Sequence, residues 1–130
     1  MKTINSYYHS KDDFLTLVEK ENLIEKATIL IQIFSSELDK NILQNTINNI
    51  STLLPQAKII GATTDGEILE NIVTVNKIIV SITLFEKATL EVAIVENRDD
   101  SFSCGKELVE KIIQDDTKSL ILFSDGLHTN

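Results

Sequence analysis

The run Thr28-Ile29-Leu30-Ile31-Gln32-Ile33-Phe34 is nearly all apolar and rich in β-branched side chains, and it halts at Ser35-Ser36. A run of this kind lacks the period-two alternation of a strand with one wet face, so it reads as a strand buried on both faces of a mostly parallel sheet. Beyond it Leu38, Ile42, Leu43, Ile47, Ile50 and Leu54 recur mainly at three and four until Pro55. That period puts them on one face of an amphipathic helix, which either serine is suited to cap and which proline, lacking an N–H, ends. Lys58-Ile59-Ile60-Gly61-Ala62 is then a second strand. Strand, helix and strand make a β-α-β unit, whose strands run parallel through a right-handed crossover.

Working outward, Ser10 before Lys11-Asp12-Asp13 is an S-x-x-D start signal. Phe14, Leu17 and Val18 then share one helical face to about Glu21. Ile78 to Phe85 and Leu90 to Val95, joined by Glu86-Lys87-Ala88-Thr89, read as an antiparallel hairpin, which makes the sheet mixed. Asn97 to Ser103 is a polar break rich in capping residues, after which Leu108, Val109, Ile112 and Ile113 mark another helix. Lys118 to Phe123 reads as a last buried strand leading into Ser124-Asp125-Gly126. The fold class expected is α/β: a mixed β-sheet with a β-α-β crossover, a central antiparallel hairpin and flanking helices, in a single domain over residues 1–130. A loop such as Ser-Asp-Gly after a buried strand ordinarily leads into a covering helix. The expectation is therefore a domain fragment, or a partner subunit in a homodimer that completes the sheet.

The chain has 130 residues and a formal charge of −8, enough length to bury a core without disulfides or a structural metal. Lys and Arg are dispersed singly, and the negative charge repels phosphates, so nucleic acid is not an expected partner. Cationic or zwitterionic ligands are favoured instead. No apolar run approaches the roughly 20 residues that span a bilayer, so no membrane segment is expected. Met1-Lys2-Thr3-Ile4-Asn5 turns polar at once, unlike a secretory signal, which points to the cytoplasm. Cys104 is the single cysteine, which rules out an intrachain disulfide and a cysteine-based zinc site.

Three polar segments follow the carboxyl ends of candidate strands: Ser35-Ser36, Thr63-Thr64-Asp65-Gly66-Glu67 and Ser124-Asp125-Gly126. In open α/β sheets ligands bind outside those ends, where the connections change direction. The same residue types equally suit turns and helix caps. Within Gly61-Ala62-Thr63-Thr64-Asp65-Gly66-Glu67, Gly61 permits close backbone approach, Gly66 is suited to a positive φ, and the two threonine hydroxyls donate and accept hydrogen bonds. This suits a small polar ligand. The loop has neither the spacing nor the lysine of a P-loop, and Asp65 and Glu67 lack the spacing of a calcium loop, so neither a cofactor nor a metal is expected.

Ser124, Asp125 and His128 contain the residue types of a hydrolase triad, but triad members converge from separate segments and the serine sits on a Gly-x-Ser-x-Gly turn. No catalytic residue is assigned. A phosphoacceptor receiver needs an acidic pair where this chain has Ser35-Ser36, and a lysine after the last strand. A dimerisation or scaffold module, with the strand-end loops acting only as caps, is the main alternative. Cys104 near a helix start has acids and no histidine beside it in sequence, which favours a partly buried packing role over a redox one.

The segments Ile31-Gln32-Ile33-Phe34-Ser35-Ser36, Leu54-Pro55-Gln56-Ala57-Lys58 and Ile59-Ile60-Gly61-Ala62-Thr63-Thr64-Asp65-Gly66-Glu67-Ile68 together resemble the opening of a FIST N domain. The likeness extends to Leu120-Ile121-Leu122-Phe123-Ser124-Asp125-Gly126, and Gly-x-x-Thr-x-Gly-Glu is its most diagnostic piece. The resemblance implies an intracellular sensory input module. Such a module is usually attached to a diguanylate cyclase, a histidine kinase or a chemotaxis transducer, and is proposed to bind small molecules such as amino acids. It carries Gly61, Thr63, Thr64, Gly66 and Glu67 over as candidate site positions. Set against the family, the expectation is that the chain stops partway through the N-terminal domain, without the C-terminal FIST region.

Overall fold

The computed structural model describes residues 1–96, 98 and 100–124. The chain divides into two compact units, Met1–Leu90 and Glu91–Asn130. The first contains a four-stranded sheet in the order β1-β6-β2-β3, formed by Lys2–Tyr7, Ile78–Phe85, Thr28–Ser35 and Lys58–Thr63. β2 and β3 run parallel, with Ser35 opposite Thr63, and β6 runs antiparallel to both β2 and β1. The mixed sheet and its β-α-β unit are therefore as the sequence predicts. The carboxyl ends of β1, β2 and β3 and the amino end of β6 share one edge.

Helices α1 (Lys11–Lys20) and α2 (Lys40–Leu53) cover one face. Phe14 and Val18 from α1, with Ile50 and Leu54 at the end of α2, pack on Ile29, Ile31, Ile33, Ile78, Val80 and Ile82. Ser10 caps α1 as predicted, its Oγ accepting from the Asp13 amide at 3.1 Å. The cap of α2 is a correction: Asp39, not Ser35 or Ser36, accepts from the Asn41 amide at 2.8 Å. Both serines are committed elsewhere, and Leu38, ahead of the cap, is 85% exposed.

Three further differences have physical causes. Lys2–Tyr7, a polar-looking start, forms β1 and takes the outer edge of β6. A strand has two edges, and β2 holds the other, so the expected hairpin of Ile78–Phe85 with Leu90–Val95 has no vacant edge to use, and residues 88–96 take no strand conformation. The hairpin of the fold lies elsewhere: β4 (Glu67–Leu69) pairs with β5 (Ile72–Thr74) as a separate two-stranded sheet. Its turn is made by Glu70, in the left-handed region at φ 56°, and Asn71.

In the second unit α3 (Ser101–Ile112) is capped by Asp100, which accepts from the Ser103 amide at 3.1 Å. None of its residues is buried. The strand expected at Lys118–Phe123 is also a correction, since those residues are exposed and not in a strand. Among the described residues this unit offers a helix and no strand to pair with.

Candidate functional site

The carboxyl edge of the sheet is organised around one buried acid. Glu67 opens β4 and is 2% exposed. Its Oε1 accepts from the Ser36 amide and, at 3.0 Å, from the Thr64 hydroxyl, while Oε2 accepts from the Lys77 amide at 3.3 Å. Burial pushes this carboxyl up, but the donors from Ser36, Thr64 and Lys77 outweigh burial and hold it below its ordinary value of 4.5. A buried charge is tolerated only when hydrogen-bonded in this way. The loops after β2 and β3 and the lead into β6 are thus tied to one side chain.

The two serines extend the network. Ser35 Oγ donates to the Lys77 carbonyl at 2.8 Å and accepts from the Glu37 amide at 3.0 Å. Ser36 Oγ accepts from the Asn76 amide at 2.7 Å, and the Thr64 amide donates to the Ser35 carbonyl at 2.9 Å. Of the candidate site residues expected from the sequence, Ser35, Ser36, Thr64 and Glu67 are assembled into one cluster. Thr63 and Asp65 are exposed and Gly66 is half-buried. Gly66 does not have the positive φ expected of it; among the described residues the non-glycine positions in the left-handed region are Asn22, Glu70 and Asn76. Gly61 is required for a different approach from the one anticipated. A Cβ there would lie 2.4 Å from the Ile33 carbonyl oxygen, so it is the neighbouring strand, β2, that comes close. Ser124 is exposed and belongs to the second unit, and Asp125 lies outside the described residues, as do Gly126 and His128.

Beside the Glu67 cluster is an open cleft of about 250 Å³, lined by Tyr8, His9, Glu37, Ile42, Thr46, Asn76, Lys77 and Ile78. Its walls come from the end of β1, the loop after β2, α2 and the lead into β6. Tyr8 is fixed by the Asn49 amide, which donates to its hydroxyl at 3.1 Å, and by ring contact with Phe14 at 5.8 Å. Asn76 holds φ 56°, a conformation asparagine tolerates better than most residues. The Lys77 ammonium has no ion-pair partner among the described residues. The cleft thus offers a cation, the Glu37 carboxylate, an imidazole, two hydroxyls and two isoleucine side chains. The sequence reading found the residues that hold these walls, not those that line them. The lining residues are scattered from Tyr8 to Ile78 and only the strand order brings them together. Among the described residues no group of His, Cys, Asp and Glu side chains is placed to hold a metal ion.

A polar cleft outside the strand ends lies where open α/β sheets commonly hold their ligands. The family model of the FIST N domain matches residues 29–130, and the chain belongs to that family, a sensory domain family of signalling proteins. No curated protein and no solved structure matches it significantly. No helix among the described residues is long and apolar enough to cross a membrane.

Proposed function

We propose that this protein is a small-molecule-sensing, non-catalytic input domain of an intracellular signal-transduction protein, and that its ligand enters the cleft between Tyr8 and Lys77. The observation that carries the reading is that Lys77, without an ion-pair partner among the described residues, and Glu37 both line one cleft whose walls are hydrogen-bonded in place. Such a pair suits a zwitterion: carboxylate against Lys77, ammonium against Glu37, with Ile42 and Ile78 beside a short apolar side chain. An amino acid has this chemistry. At about 250 Å³ the cleft is smaller than the roughly 300–1,000 Å³ of drug-sized pockets, which favours one small metabolite.

Membership in a family of signalling domains supports the remaining parts of the reading. The partner is an output domain such as a diguanylate cyclase, a histidine kinase or a chemotaxis transducer, the location is the cytoplasm, and a homodimer is compatible with both. Signalling then requires that the ligand bind two arrangements of the domain with different affinity. The test is a thermal-shift screen of the chain against the twenty standard amino acids. A binder raises the melting temperature by mass action, and both Lys77→Ala and Glu37→Ala should abolish the rise. A stabiliser equally effective on both variants would place the ligand elsewhere, and the absence of any stabiliser would favour the scaffold alternative.

A further inference from the structure

The β4–β5 hairpin is poorly provided for by its own residues. Its strands have three residues each, and two-stranded hairpins of this size are marginal in water. Ile68, Ile72 and Val73 are exposed, and Leu69 and Thr74 are only half-buried, so burial of its side chains gives little support. What anchors it is Glu67, its first residue, which is opposite Thr74 across the ladder. The side chain that fixes the hairpin is therefore the one that accepts from the Lys77 amide and from the Ser36 amide, and Ser36 in turn holds Asn76. Asn76 and Lys77 line the cleft.

We infer that Glu67 is a coupling residue: through its carboxylate the order of the β4–β5 hairpin depends on the position of the cleft wall at Asn76 and Lys77, so that occupancy of the cleft is relayed to the hairpin. The dependence on Glu67 stands on the hydrogen bonds alone, while the relay of occupancy rests on the ligand-binding reading above. Elements of low intrinsic stability are the ones that such tethers control, and the coupling works equally in both directions. Glu67 in this account is a positioning residue that does not touch the ligand.

The experiment is residue-resolved amide hydrogen exchange on the full chain. In the unliganded protein, Glu67→Gln is expected to accelerate exchange at Ser36, Lys77 and the hairpin amides 68–74 together, by tenfold or more, while the amides of β2 and β6 change less than threefold. Acceleration confined to Ser36 and Lys77 would overturn the coupling. Thr64→Val, which removes one donor only, is expected to affect the same amides severalfold, and it decides the matter if Glu67→Gln does not fold. A second arm uses each of the twenty standard amino acids as the probe. Binding to the wild type is expected to slow hairpin exchange, and Glu67→Gln is expected to bind with less than tenfold loss while the hairpin no longer responds. A variant that binds and still slows its hairpin would overturn the relay and leave the sensor reading intact. If no amino acid binds the wild type, the sensor reading fails, and the unliganded arm still decides the coupling.

Discussion

Two apolar stretches of this chain meet opposite fates. From Ile29 to Ile33 four of five side chains are buried, whereas Leu120, Ile121, Leu122 and Phe123 are between 37% and 55% exposed. Their compositions are alike. What differs is the company: β2 is paired on both edges, by β3 and β6, with α1 and α2 over one face, while among its described residues the second unit offers a helix none of whose residues is buried. An apolar run becomes a core strand only where its backbone groups and its side chains find partners, and that is a property of topology rather than of the run itself.

The largest effect that would sharpen this contrast is at Ile31. Ile31→Ala should cost about 3–4 kcal/mol in urea unfolding, from lost burial and the cavity left behind. Leu122→Ala should stay within about 0.5 kcal/mol. Comparable losses at both positions would break the comparison. Gly61→Ala comes next, at about 2–3 kcal/mol, because its new methyl must move the Ile33 carbonyl or the strand that carries it.

Glu67→Gln should cost about 2 kcal/mol at pH 7, since the amide group cannot accept from every donor that the carboxylate serves. Its pH dependence has a definite sign. The folded value of Glu67 lies below its ordinary 4.5, so its contribution is fully present above pH 4.5 and is lost as pH falls through the lowered folded value. The stability gap between wild type and Glu67→Gln should accordingly shrink on going from pH 7 into that acid range. The other carboxyls titrate alike in both proteins and cancel in the difference. A gap independent of pH would mean that the charge of Glu67 does not matter. The smallest effect is at Tyr7, whose buried hydroxyl has no hydrogen-bond partner among the described residues. Tyr7→Phe should be neutral or stabilising by up to about 1 kcal/mol, and a clear loss would reveal a partner for that oxygen.

How much was legible follows from where each signal resides. β2, α2 and β3 announce themselves locally, through an apolar run, a period near 3.6 and a proline stop. β1 does not, because Lys2-Thr3-Ile4-Asn5-Ser6-Tyr7 is an edge strand with polar side chains. With β1 on that edge of β6, the edge that a hairpin with Leu90–Val95 requires is occupied. At the site, the density of Ser, Thr and Glu around the strand ends was readable, and Ser35, Ser36, Thr64 and Glu67 do come together. Their direction was not readable. Whether Glu67 faces inward depends on the amides of Ser36 and Lys77, which lie 31 and 10 residues away. The cleft itself, built from Tyr8, Glu37, Thr46 and Lys77, leaves no motif because its members share only a place at the sheet edge.

The central claim is that this edge binds a small zwitterion at Lys77 and Glu37. The most direct test is an NMR titration of the labelled chain with whichever amino acid stabilises it most. The account predicts saturable shifts centred on Tyr8, Glu37, Thr46, Asn76 and Lys77, lost in Lys77→Ala. Shifts centred instead on the exposed Thr63 and Asp65, or no saturable shifts with any amino acid, would contradict it.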